Sequence, residues 1–93
     1  VDKGAKQALK EHKSLLPSGI MDVKGSFLSG QVVDIIDQDE QVIAKGIVQY
    51  SSLEIMLVKG HQSFEMKKIL GNYDYDEIVH ANNMVILGGK SNE

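Results

Sequence analysis

The sequence predicts a small α+β fold that is mostly β, a compact pseudo-barrel of about five to six short strands with two to three short helices. Three observations predict it. Several short segments alternate apolar and polar residues or run continuously apolar, at lengths suited to strands. Helical patterns occur only in short stretches bounded by capping signals. Between Ser14 and Val33 the punctuation is dense, with the only proline, Pro17, and the turn glycines Gly19, Gly25 and Gly30. At 93 residues the chain can bury one core but not two.

In chain order, Gly4 to Lys13 reads as a helix. Ala5, Ala8, Leu9 and His12 recur at the spacing of a buried stripe, with Lys3, Lys6, Lys10 and Lys13 on the opposite side. Pro17 ends any helical continuation through the Leu15-Leu16 pair. Met21, Val23 and Phe27 alternate with Asp22, Lys24 and Ser26 as a first strand. Gln31 to Ile36 is more continuously apolar, so both its faces are expected to be covered. Asp37 to Glu40 is a polar turn. Val42 to Tyr50 returns as a strand with Val42, Ala44, Val48 and Tyr50 in phase, and Gly46 among them signals a bulge or a close backbone approach. Ser51 and Glu54 form a capping-box pattern opening a helix that Gly60 closes. A second short helix starts near Ser63, anchored by Phe64, with Met66, Ile69 and Leu70 as its apolar face and Gly71 as its C-terminal cap. Residues 72 to 76 read as a loop. Glu77 to Ala81 and Met84 to Leu87 then form a hairpin turning at Asn82-Asn83.

Composition narrows the function classes. The absence of cysteine excludes disulfides and thiolate metal sites and fits a reducing, cytoplasmic setting. No apolar run reaches the ~18 residues of a membrane span, and no signal peptide is recognisable, so no membrane partner is expected. The chain opens on Val1-Asp2 without an initiator Met, which raises the expectation of a longer parent. The first thirty residues carry five lysines against three acids, and the remainder five lysines against ten acids, with no arginine anywhere. A freestanding nucleic-acid binder ordinarily presents a basic face with arginine for bidentate contacts.

Candidate chemistry is sparse. The glycines follow neither a Walker nor a dinucleotide spacing and read as turn residues. His12, His61 and His80 lie far apart, and His80 is expected to be hydrogen-bonded within the final hairpin. Asp37, Asp39 and Glu40 could weakly hold Mg²⁺, but lack the glycine and distal glutamate of a calcium loop, so a solvated turn is the favoured reading. Asp74, Asp76 and Glu77 are read the same way. Tyr50, Tyr73 and Tyr75 could stack on bases, with core packing favoured for Tyr50. No nucleophile-base pair stands out, and the chain itself is not expected to catalyse a reaction or to carry a cofactor.

Several segments taken together resemble one family. Asp2, Gly4 and Ala5 at the helix start, Ser14-Leu15-Leu16-Pro17, Gly19-Ile20, Gly25, Phe27, Gly30-Gln31-Val32-Val33, Ile43-Ala44-Lys45-Gly46, Tyr50-Ser51-Ser52, Ile69-Leu70-Gly71 and Val79-His80 are similar to the PUA domain at the C-terminal end of glutamate 5-kinases. The resemblance implies a PUA-like fold over 1–88, with the family's first strand almost wholly missing, and a frayed tail at 89–93. It implies an accessory or regulatory role beside an amino-acid-kinase domain of the same chain. That domain would use ATP and Mg²⁺ to phosphorylate glutamate in the first step of proline synthesis. Homo-oligomers are a further partner class.

PUA domains of RNA-modifying enzymes bind RNA through the first helix, the following loop and the next strand. That surface would here be Lys6, Lys10, Lys13, Gly19 and Lys24, the glycine allowing close approach to a phosphate. A solvated lysine face is the favoured alternative, because the net charge of −3 opposes steering of RNA. Departures from the family's pattern matter, the missing first strand among them. His12 stands where the family usually has glycine, and Gln31 where it more often has an acid. Ala81-Asn82 stand where Arg-Asp is typical, which removes a five-donor fork.

Overall fold

The computed structural model describes residues 1–71 and 74–87. Helix α1 (Lys3–Lys10) leads through a 3₁₀ turn (Pro17–Gly19) to strands β1 (Val32–Ile36) and β2 (Val42–Val48). Helix α2 (Ser52–Val58), a second 3₁₀ turn (Ser63–Glu65), helix α3 (Met66–Leu70) and strand β3 (Val79–Ile86) follow. The strands form an antiparallel sheet in the order β1-β2-β3, and an isolated bridge joins Leu15 to Val79. The core lies between the sheet and the helices, around Leu9, Leu15, Ile35, Val58, Met66, Ile78 and Val79. Burying each such side chain contributes ~1.5–3 kcal/mol.

Local chemistry sets the helix boundaries. The Asp2 carboxylate accepts the Ala5 N–H at 2.8 Å and caps α1. Ser51 and Glu54 make the reciprocal capping box at the start of α2. Gly71 closes α3 at φ 77°. The expected helix from Gly4 to Lys13 stops at Lys10, because His12 turns into the left-handed region at φ 62°. The His12 N–H bonds the Leu9 carbonyl and the Lys13 N–H bonds the Ala8 carbonyl, each at 3.0 Å, which is a Schellman ending. His12 is therefore exposed instead of continuing the buried stripe.

The strand pattern differs from expectation in three places. Residues 21–27 are unpaired with the sheet and bend at Gly25, which has φ 76°. Val23 and Phe27 lie half-buried on the core, and the Phe27 backbone bonds to Ser52 at the start of α2. Alternation reports contact with an apolar surface, and an irregular segment can have that contact without a ladder. Gln31 to Ile36 is covered on one side only, since Val32 and Asp34 face outward while Ile35 is buried. The expected hairpin at Asn82-Asn83 does not form. Val79 pairs with Val48 and Met84 with Gly46, so His80 to Asn83 bulge opposite Ile47 and the chain rejoins the same strand. The Ser14 hydroxyl holds that bulge by accepting the Ala81 N–H at 2.8 Å. Among the described residues the strands thus number three, with the Leu15–Val79 bridge. The expected tail at 89–93 and Tyr73 lie outside the described residues.

Candidate functional site

The lysines predicted to form a binding face are distributed by α1, its ending and the irregular segment after the Pro17–Gly19 turn. Lys6 projects from α1 to the end of β1, where its Nζ lies 2.8 Å from Asp37 Oδ2. The other Asp37 oxygen accepts the Asp39 and Gln41 N–H groups at 2.9 and 3.0 Å. The carboxylate is buried, at 8% exposure, so the solvated-turn reading does not hold for Asp37. The Lys6 hydrogen bond, then the backbone amides, hold its pKa down at about 2. The same pairing raises the pKa of Lys6.

The chain reverses here by a tight turn and a left-handed residue. The Glu40 N–H bonds the Asp37 carbonyl, the Asp37 N–H bonds the Gln41 carbonyl, and Glu40 has φ 62°. Lys24 reaches this turn from the other side, 2.9 Å from the Glu40 carboxylate. Lys6 and Lys24 therefore converge on one acidic turn. Lys13, beyond the end of α1, pairs with Glu11 at 3.2 Å. Lys10 is exposed, with no ion pair among the described residues.

Gly19 is buried under α1. A β-carbon there would sit 2.5 Å from Ala5 Cβ, and its carbonyl accepts the Asp2 N–H at 2.9 Å. The structure thus gives Gly19 a packing partner on its bare face. Beside it, an open apolar cleft of about 520 Å³ is floored by Leu15, Ile20, Phe27, Ile35 and Ile78, with Lys24 at its rim.

Elsewhere, His80 Nδ1 accepts the Asn82 N–H at 3.0 Å within the bulge. Tyr50 is buried, its hydroxyl donating to the Tyr75 carbonyl and accepting the Tyr75 N–H, and burial raises its pKa. Tyr75 packs edge-on against it at 6.5 Å between ring centroids. Among the described residues no group of three or more His, Asp or Glu is placed to hold a metal ion, and no helix is long and apolar enough to cross a membrane. What the sequence did not disclose is the burial of Asp37 and the meeting of Lys6 and Lys24. The available signal was an aspartate at the first position of a hairpin turn, where its side chain bonds the turn's own amides.

A capped first helix, a Gly19 seat beneath it, and a small antiparallel sheet with a bulge over Gly46 define a compact α+β domain. The chain belongs to the PUA domain family, whose model matches residues 1–70. It is similar to the glutamate 5-kinase of Aquifex aeolicus, 48% identical over 87 residues that cover 94% of this chain and 24% of that kinase. It is likewise 44% identical over 88 residues to the glutamate 5-kinase of Carboxydothermus hydrogenoformans, covering 94% of this chain and 24% of the relative. The glutamate 5-kinase of Moorella thermoacetica is 45% identical over 89 residues, 95% of this chain and 24% of its own length. The chain thus spans about a quarter of the length of these relatives.

Proposed function

We propose that this domain is the non-catalytic, regulatory C-terminal part of a cytoplasmic glutamate 5-kinase, which phosphorylates the γ-carboxylate of glutamate with ATP in the first step of proline synthesis. The observation that carries the reading is the near-complete coverage of this chain by kinases of which it spans only a quarter. Asp37 is not free for a cation, since both its oxygens are engaged by Lys6 and two backbone amides. In this reading ATP and Mg²⁺ belong to an amino-acid-kinase portion of the same chain. The domain's contribution is packing: a rigid body that tunes the response or assembly of the kinase. RNA binding is the weaker reading, because Lys6, Lys13 and Lys24 each face a carboxylate.

The test is to read the coding sequence upstream of Val1 and assay the encoded full chain for glutamate-dependent ATP consumption. A kinase portion with glycine-rich nucleotide loops and measurable turnover is expected. An unrelated upstream sequence, or a full chain without turnover, would sink the proposal.

A further inference from the structure

Helix α2 is apolar on both sides. Ile55 and Val58 are buried in the core, while Leu53, Met56 and Leu57, at i, i+3 and i+4, form an outward stripe. Leu53 is 78% exposed and Leu57 60%. Phe64, expected to anchor α3, is instead 80% exposed on the 3₁₀ turn leading into that helix, which packs against α2. A single exposed leucine needs no explanation, but a helix apolar around its circumference is ordinarily covered. Lys67 and Lys68 on α3 are exposed and make no ion pair among the described residues.

The first residues of the chain reach this helix through one turn, while the Val1 amine itself bonds the Ile36 carbonyl at the end of β1 at 2.8 Å. The Asp2 N–H bonds the Gly19 carbonyl at 2.9 Å, and the Gly60 N–H, just past α2, bonds the Pro17 carbonyl at 2.8 Å. One three-residue turn, Pro17–Gly19, thus ties both together. Polypeptide preceding Val1 would set out from the end of β1, one turn away from α2.

We propose that the outward face of α2, formed by Leu53, Met56 and Leu57 with Phe64, docks onto the kinase portion of the same chain. This rests on the function proposed above. The complementary surface is apolar and rimmed by carboxylates that meet Lys67 and Lys68. Size favours this occupant over a second copy. A helix of seven residues offers little toward the ~800 Å² per partner of a stable dimer. A tethered domain needs far less, because a short linker holds it at an effective concentration of ~mM.

The 93-residue chain has no cysteine, which allows a direct test. In a full-length kinase freed of other cysteines, Leu57→Cys and Val85→Cys are each reacted with a maleimide. The two positions are 60% and 64% exposed in the domain, so a free α2 gives similar rates. Docking makes position 57 about tenfold slower than position 85, and adding Leu53→Glu restores its rate. Equal rates in a chain that retains kinase turnover would overturn the docking while leaving the kinase reading intact. Absence of a kinase portion would overturn both. Protection that grows with protein concentration would assign the face to a second copy and also overturn the proposal.

Discussion

Gly46 on β2 and Val79 on β3 pack so closely that a β-carbon on the glycine would fall 2.6 Å from Val79 Cγ1. It would also lie 3.1 Å from the Asn83 carbonyl. The bulge of His80 to Asn83 runs over this bare position, and Val79 is fully buried, so its side chain has no room to withdraw. Gly46→Ala is expected to destabilise the domain by ~1–3 kcal/mol through overpacking. Urea unfolding measures it, and an unchanged midpoint would show that the bulge can move aside.

The buried Asp37 carboxylate gives the fold an acid-sensitive joint. Its folded pKa of about 2 lies below the ordinary 3.8, so its contribution to stability is fully present above pH 3.8. That contribution is lost as the pH falls from about 4 to about 2. Lys6 has the opposite sign: its raised pKa contributes stability at neutral pH that is lost only in strong alkali. Asp37→Asn is expected to lower the melting temperature at neutral pH and to flatten its decline between pH 4 and pH 2. A variant whose decline on acidification equals that of the parent would place the acid-labile group elsewhere.

Much of this architecture is legible in the residues, and the failures have physical causes. The Ser51–Glu54 box, the Gly71 cap and the inward phase of Ala44, Gly46 and Val48 depend on near neighbours in sequence and appear as expected, whereas Val42, expected in the same phase, is exposed at the strand's start. The region at 21–27 alternates because it lies on the core, yet its backbone partners are set by Ser52, far along the chain. Asn82-Asn83 suits a turn, but Ser14 holds the neighbouring Ala81 and keeps the chain in one strand. Asp37 reads as solvated until Lys6, brought in by α1, covers it. Local chemistry was visible; long-range closure was not.

His12 occupies the left-handed position that ends α1, with φ 62°. A residue with a β-carbon is disfavoured there by ~1–2 kcal/mol, part of which glycine forfeits through its freer unfolded chain. The side chain is exposed, so its removal leaves no cavity. His12→Gly is expected to stabilise the domain by ~0.5–1 kcal/mol. Thermal unfolding reads the effect, and a lowered melting temperature would assign His12 a stabilising contact.

Gly19 meets Ala5 in the same manner as Gly46 meets Val79, with a virtual β-carbon 2.5 Å from Ala5 Cβ. Gly19→Ala should therefore cost ~1–3 kcal/mol by pushing α1 off the 3₁₀ turn. Moving the methyl across the contact, in Ala5→Gly/Gly19→Ala, should recover much of that loss, less ~1 kcal/mol for glycine within the helix. A double-mutant cycle with no coupling between the two positions would mean that Gly19 is required for something other than its fit to Ala5.

The lysine surface makes the last prediction. Counterion release drives RNA binding only where cations are free to meet phosphates. Lys6 and Lys24 close on Asp37 and Glu40, and Lys13 closes on Glu11. That leaves Lys10 and Lys3 on α1 within an acidic domain of net charge −3. Titration with a structured hairpin RNA at low salt is expected to leave the amide shifts of α1 and of residues 19–24 unchanged. The triple substitution Lys6→Ala/Lys10→Ala/Lys24→Ala is expected to alter stability and no RNA affinity. Salt-sensitive binding that this triple variant weakens would reverse the ranking, because it would show the lysines exchanging their carboxylates for phosphates.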